Sequence, residues 1–317
     1  MVFVTVSAVG RQMRFVPTVP VRDSIWFIFA WLLSDTEIQV HELTFMSNHF
    51  HLVATDPKAE LSDLLQVLDS LVSRQLNALR GETGSNFERN PRWQRICDDE
   101  SVVEKCIYSV VNPLKAHLVE RLRDWKAPTT FGLDYGESVT FKRPKCGLWK
   151  EVRVRRRRRG RHASAGRWRY MGRSKAPGSV TFKLVRPRVR MELTARELRA
   201  QIREGALAEQ LRLQAERRRT GRSVLGWRRV VTQHYLATPK GKRVLFRRNP
   251  TVTGTDPVKV DAMLETMATF RSEYRVAMRL HRERKNPTFP YGTNRMARRY
   301  NVPCATAPPR PHPIARS

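Results

Sequence analysis

The sequence predicts an α+β fold in which helices pack on an antiparallel sheet, followed by a second half that is basic and mainly helical. Three observations carry this. Apolar spacing alternates between period two and period 3.6 over the first 120 residues, in the order strand, helix, strand, strand, helix, strand, helix. Apolar residues make up 40% of 317, enough for a packed core. Charge divides the chain: residues 1–150 hold 18 Lys and Arg against 18 Asp and Glu, leaving 42 of the 60 bases and 11 of the 29 acids, and the whole net charge of +31, to residues 151–317.

The elements follow in order. Residues 12–17 read as a short strand, and Pro20 to Ser34 as a helix capped by Asp23 or Ser24, with Ile25, Phe29 and Leu32 toward the sheet. Glu37 to Met46 and His49 to Thr55 read as strands joined by the turn residues Ser47-Asn48. A tight hairpin there places Leu43 and Phe45 on one face with Phe50 and Leu52, and Thr44 and Met46 on the other with His49 and His51. Leu61 to Leu79 has the spacing of an amphipathic helix, residues 81–90 of a loop, and Trp93 to Cys97 of a strand. Ser101 to Val111 reads as a helix carrying Tyr108, with a new helical start at Asn112-Pro113. Farther on, Thr194 to Arg219 reads as a long charged helix and Asp256 to Arg284 contains another, with Met263, Met267, Phe270, Tyr274 and Met278 on one face. No internal repeat is read.

Composition narrows the function. A net charge of +31 and a pI near 11.2 point to a polyanion partner, bound through phosphate neutralisation and counterion release. Cys97, Cys106, Cys146 and Cys304 lack the spacing of a zinc ribbon or disulfide framework, which fits a reducing cytosol. The apolar run Ile25 to Leu33 is too short to span a bilayer, and Met1 to Val6 has no basic leader or cleavage site. A cytoplasmic, nucleoid-associated protein with no membrane partner, monomeric or homodimeric, is expected.

The chemistry centres on His49-Phe50-His51. A strand alternates its side chains, so both imidazoles share a face and offer a divalent-metal site. Two ligands do not hold a metal. Asn112 lies one helical turn beyond Tyr108 and offers a third, leaving positions open for Mg²⁺ or Mn²⁺ with water and phosphate oxygens. Asn before proline is equally a helix N-cap. Tyr108, between Ile107 and Val110, is either a nucleophile or a half-buried core tyrosine. A free phenol ionises near about pH 10, so attack needs help with its proton; Lys105 and Lys115 are the nearby cations along the chain.

The segment Phe45-Met46-Ser47-Asn48-His49-Phe50-His51-Leu52-Val53 resembles the metal-binding strand of single-tyrosine HUH transposases, and most of all that of the REP-associated tyrosine transposases. Tyr108-Ser109-Val110-Val111-Asn112-Pro113-Leu114-Lys115-Ala116-His117-Leu118-Val119 is similar to their tyrosine helix: Tyr, three residues, Asn-Pro, a basic or small pair, then Leu-Val. The two motifs occur in the family's order, some 55 residues apart, and the likeness covers roughly residues 12–130. It departs at His117, where the family often has glycine, and in a short N-terminal strand. The resemblance implies a ferredoxin-like (RRM-like) catalytic domain over residues 1–130, with His49, His51 and Asn112 as metal ligands and Tyr108 as nucleophile. It implies strand cleavage and rejoining on single-stranded or hairpin DNA through a 5′-phosphotyrosine, with Mg²⁺ or Mn²⁺.

Three further regions are expected: an arginine-rich linker or arm (131–190), a basic helical extension (191–303) and a disordered tail (304–317). The arm reads either as a solvated, disordered segment that binds any polyanion or as a DNA-tracking arm, in which Arg153, Arg155, Arg156, Arg157, Arg158, Arg159, Arg161, Arg167 and Arg169 supply phosphate contacts and Trp168 and Tyr170 stack on unpaired bases. Phosphate contacts carry no sequence information. Two other readings stand beside the transposase: a catalytically silent nucleic-acid-binding protein of the same fold, and a basic RNA-associated protein.

Overall fold

The computed structural model describes residues 1–150, 176–239 and 251–306. The chain forms β1 (Val2–Ser7), α1 (Val19–Leu33), β2 (Gln39–Phe45), β3 (His49–Thr55), α2 (Leu61–Arg80), β4 (Arg92–Ile96) and α3 (Asp99–Lys115). Then come β5 (Ser138–Lys142), β6 (Ser179–Lys183), α4 (Ala195–Thr220), α5 (Trp227–Val231), β7 (Val252–Thr253), α6 (Pro257–Arg282) and α7 (Asn294–Tyr300). One sheet runs β2-β3-β1-β4-β7, antiparallel except for the β4–β7 edge. The units β1-α1-β2 and β3-α2-β4 therefore interlock, each enclosing one strand of the other.

The hairpin register matches the sequence pattern: Phe45 opposes Phe50, Leu43 opposes Leu52, and Thr44 opposes His51. β1 extends it, with Val4 opposite Leu52, Val6 opposite Phe50 and Thr5 opposite His51. One face thus presents Val4, Val6, Leu43, Phe45, Phe50 and Leu52 to α1 and α2, all in one buried cluster. The other presents Phe3 and Val53 to α3 and α4, where they pack with Val102, Val103, Cys106, Leu198 and Ile202.

Three expectations are corrected. The first strand is Val2–Ser7, whereas residues 12–17 form no strand and instead seat Phe15 among Phe45 and Phe87. The β-branched run at the N-terminus, alternating in burial, is the better strand former. Second, no helix starts at Asn112: α3 runs through Pro113 without a break. Proline removes the N–H that would bond the Ser109 carbonyl. Burial of Val110, Val111 and Leu114 on either side keeps the turn in place. Third, the chain does contain a repeat. Ser-Val-Thr-Phe-Lys occurs at 138–142 and again at 179–183, and the two copies are β5 and β6, paired with each other through Thr140 opposite Thr181.

That ribbon explains α1. Ser24 to Leu32 is buried on every side, which one sheet face cannot achieve. Trp26 stacks on Phe141 at 4.8 Å, and Trp149 meets Phe27 at 5.2 Å, so the ribbon and its flank cover the side of α1 away from the sheet. The ends of the expected 131–190 arm are consequently part of the packed core.

On the opposite face, α4 begins with a capping box in which Thr194 and Glu197 satisfy each other's backbone. It is fastened to the sheet by Arg199, whose guanidinium reaches Glu42 of β2 at 2.7 Å, while Thr130 donates to the same carboxylate. Both charges are buried. All four cysteines are free thiols. No helix among the described residues is long and apolar enough to cross a membrane.

Candidate active site

The register that seals one face with phenylalanines sets two imidazoles side by side on the other, with ring centroids 4.8 Å apart. Each Nδ1 is tied to an oxygen: His49 to Asn48 Oδ1 at 2.7 Å, and His51 to Thr5 Oγ1 at 3.0 Å. A histidine tied at Nδ1 in this way has its ring orientation fixed and turns Nε2 away from that partner. For His51 the partner on Nε2 is the Asn112 side-chain amide, at 2.8 Å.

α3 supplies the rest. Residues 105, 108, 112 and 115 lie along one side of it. The Tyr108 ring meets the His51 ring edge-on at 5.3 Å and Phe3 at 6.0 Å, and Phe3 stacks on His51 at 5.2 Å. Tyr108 is 40% exposed, so the position is lined by side chains yet open to a large substrate. The ammonium of Lys115 lies 5.1 Å from the Tyr108 ring centre and that of Lys105 lies 5.9 Å away. Lys115 also pairs with Glu209 of α4 at 3.3 Å.

Burial makes both imidazoles weak bases. It lowers His49 to about 4, with the Arg92 charge adding to the effect. It holds His51 well below the usual imidazole range, helped by His49 and Lys105. Neutral imidazole is the form that binds metal. Lys105 is lowered too, by its own burial. Among the described residues no group of three or more His, Cys, Asp and Glu side chains could hold an ion. The Asn112 side chain is the further polar group against His51, with its amide nitrogen 2.8 Å from Nε2.

Sequence reading placed His49, His51, Tyr108 and Asn112, and the fold brings all four together. It missed Thr5, Asn48, Phe3 and Arg92. Three of these are found by reading Val2 to Val6 as a strand: alternation puts Phe3 and Thr5 on the histidine face, and Arg92 pairs with Thr5 across β4. The expected DNA contacts Arg153, Arg155, Arg156, Arg157, Arg158, Arg159, Arg161, Arg167, Trp168, Arg169 and Tyr170 lie outside the described residues. Trp149 and Ala176, which flank that stretch, are buried in the α1 cluster, on the sheet face opposite the histidines.

A cleft of about 510 Å³ opens beside Tyr108, between α3 and α4. At Gly205 of α4 an added Cβ would stand 2.4 Å from Ile107 Cδ1 of α3, so no larger residue fits there without a shift.

No protein-family model matches the chain, and no curated protein does. Among solved structures, it is similar to a REP-associated tyrosine transposase bound to a REP hairpin, at 18% identity, with a TM-score of 0.35 over 42% of this chain and 77% of that one. It is also similar to a Deinococcus radiodurans R1 protein provisionally assigned as a transposase, at 13% identity, with a TM-score of 0.25 over 32% of this chain and 82% of that one.

Proposed function

We propose that the protein is a transposase-like enzyme that cuts and rejoins single-stranded or hairpin DNA, with Tyr108 as nucleophile. One observation carries the reading: Tyr108, Asn112, His49 and His51, distant in sequence, meet on one face of the sheet. The strand order β4-β1-β3-β2, threaded by two interlocked β-α-β units, supports a ferredoxin-like catalytic domain.

Each residue has a part. Thr5 and Asn48 fix the two imidazoles, burial keeps them neutral, and Asn112 faces His51, so these side chains fit a divalent ion held by His49, His51 and Asn112. Bound there, Mg²⁺ or Mn²⁺ would supply Lewis-acid polarisation of the nonbridging phosphate oxygens. The Tyr108 oxygen attacks phosphorus in line, and its proton passes to water, which in turn supplies the proton taken up by the departing oxygen. The P–O3′ bond breaks, the 3′ oxygen leaves and is protonated, and the 5′-phosphoryl group stays on the phenol. The 3′-hydroxyl can reverse the step, so rejoining consumes no nucleotide. Lys105 and Lys115, on either side of the ring, stabilise negative charge as it develops.

A labelled hairpin oligonucleotide incubated with full-length protein and Mn²⁺ is expected to yield an SDS-resistant adduct that Tyr108→Phe abolishes and EDTA suppresses. An adduct undiminished by Tyr108→Phe, or none on any hairpin tried, rejects the reading and leaves a cationic binder.

A further inference from the structure

The cleft between α3 and α4 opens at the nucleophile and shares Tyr108, Lys105 and Lys115 with the chemistry above, but its remaining lining, Glu104, Ile107, Gly205, Ala208, Glu209 and Arg212, has no part in it. Its floor is apolar: Ile107, the exposed ring of Tyr108, and the small residues Gly205 and Ala208. Its rim carries the cations Lys105, Lys115 and Arg212, and the acids Glu104 and Glu209. An aromatic and aliphatic floor under a cationic rim is the chemistry that takes an unpaired base and its phosphate.

Glu209 occupies the anionic role. Its carboxylate accepts from Arg212 at 2.7 and 2.8 Å and lies 3.3 Å from Lys115. It is four-fifths shielded, whereas Arg212 is more than half exposed. Those cations hold Glu209 below the usual carboxylate range. Lys105 makes no ion pair among the described residues, although it is half-buried against the Phe3 and Tyr108 rings.

We infer that this cleft is a nucleotide subsite, in which a backbone phosphate of single-stranded DNA replaces Glu209 on Lys115 and Arg212 while its base lies on the Ile107–Tyr108 floor. Glu209 is then an internal counter-anion that keeps the subsite closed to weak polyanions until a strand threads past the tyrosine. The inference rests on the single-stranded DNA reading but not on cleavage.

The test uses full-length Tyr108→Phe protein in EDTA, so that only binding is read. A single-stranded oligonucleotide carrying 5-iododeoxyuridine is irradiated in the complex, and the cross-linked peptides are mapped. Cross-links are expected within residues 104–115 or 205–212; cross-links confined to other peptides overturn the subsite. Fluorescence anisotropy then compares variants built on the same background. Glu209→Gln is expected to bind about fivefold tighter, and Lys115→Ala to bind more weakly with a log–log salt slope shallower by about 0.7, the share of one single-strand phosphate contact. Ala208→Leu, which fills the floor from an exposed position, is expected to lower affinity without moving the melting temperature. Unchanged or weaker binding by Glu209→Gln means that Glu209 only ties α4 to α3, and overturns the inference. An adduct from the active protein alongside those results leaves the proposed reaction standing, and tighter binding without any adduct leaves the subsite standing alone.

Discussion

The two faces of the central sheet are built from the same three strands, and they differ in nearly every property that matters. On the α1–α2 face each cross-strand pair is apolar, with Phe45 on Phe50 at 4.4 Å and Leu43 opposite Leu52. On the α3–α4 face the same positions shifted by one give Thr44 opposite His51, Thr5 opposite His51, and Glu42 opposite Val53. The first face is held by contact alone and tolerates many arrangements of similar volume. The second is tolerable only because each polar group has a named partner: Thr5, Asn48 and Asn112 for the imidazoles, Arg199 and Thr130 for Glu42. A slip of one residue would exchange the faces, so the core on one side fixes the chemistry on the other.

The largest effects are expected from breaking either face. Phe50→Ala leaves a cavity under α1 and α2 and should cost about 3–5 kcal/mol in denaturant unfolding. Arg199→Met strands the fully buried Glu42 carboxylate and should cost a similar ~3–5 kcal/mol. The two faces separate in rescue. Adding Glu42→Leu to Arg199→Met should recover most of the loss, because it removes the uncompensated charge. No single substitution elsewhere on the sheet should rescue Phe50→Ala to that extent. A double variant no more stable than Arg199→Met would show that α4 is fastened by something other than this pair.

A pH series reads the same contrast more gently. His41 is buried on β2, its ring bonded to the Val185 carbonyl and to Thr55 Oγ1, and burial lowers it from 6.5 to about 4. The unfolded chain therefore binds more protons between those values, and stability rises with pH across them. The contribution is complete above about pH 6.5 and is lost as pH falls toward 4, amounting to about 3 kcal/mol for this one group. His49 and His51 act with the same sign. His41→Gln should flatten the slope of unfolding free energy between pH 4 and 6.5 by His41's share; an unchanged slope would place the proton uptake elsewhere.

How much of this was legible in sequence depends on the range of the interaction. The β2–β3 hairpin was readable because alternation of Leu43, Phe45, Phe50 and Leu52 around a polar turn leaves one register that buries them all. The limits of α2 and α4 were readable to within a residue or two from spacing and composition; the helices end at Gly81 and Gly221, both left-handed, and Thr194 caps the start of α4. Asn112 misled because proline after asparagine favours a helix start locally, while tertiary burial decided the outcome. Glu42 with Arg199, 157 residues apart, left only the hint of an acid within an apolar strand. Thr5 was hidden because β1 is only six residues long, which gives its alternation little room to stand out. The paired Ser-Val-Thr-Phe-Lys copies lie on either side of the arginine tract, too short and too far apart to stand out as a period.

The smallest effect tests the end of the tyrosine helix. His117 follows the last turn of α3 with φ of 53°, in the left-handed region where a Cβ crowds the backbone. The turn closes as helix ends of this kind do, with the Leu118 N–H donating to the Pro113 carbonyl at 2.9 Å and the His117 N–H to Leu114 at 3.0 Å. Glycine is the residue this geometry favours, which gives a physical reason for its frequency at the matching position in the transposases that the motif resembles. His117 Nδ1 is also buried without a partner among the described residues, a second cost of the side chain. His117→Gly is therefore expected to stabilise the protein by about 0.5–1 kcal/mol, read as a higher denaturant midpoint. His117→Ala separates the two causes, since it removes the imidazole but keeps the strained Cβ. A glycine variant no more stable than the alanine one would mean that the left-handed turn carries no strain, and that the ring alone sets the difference between this chain's tyrosine helix and the motif it resembles.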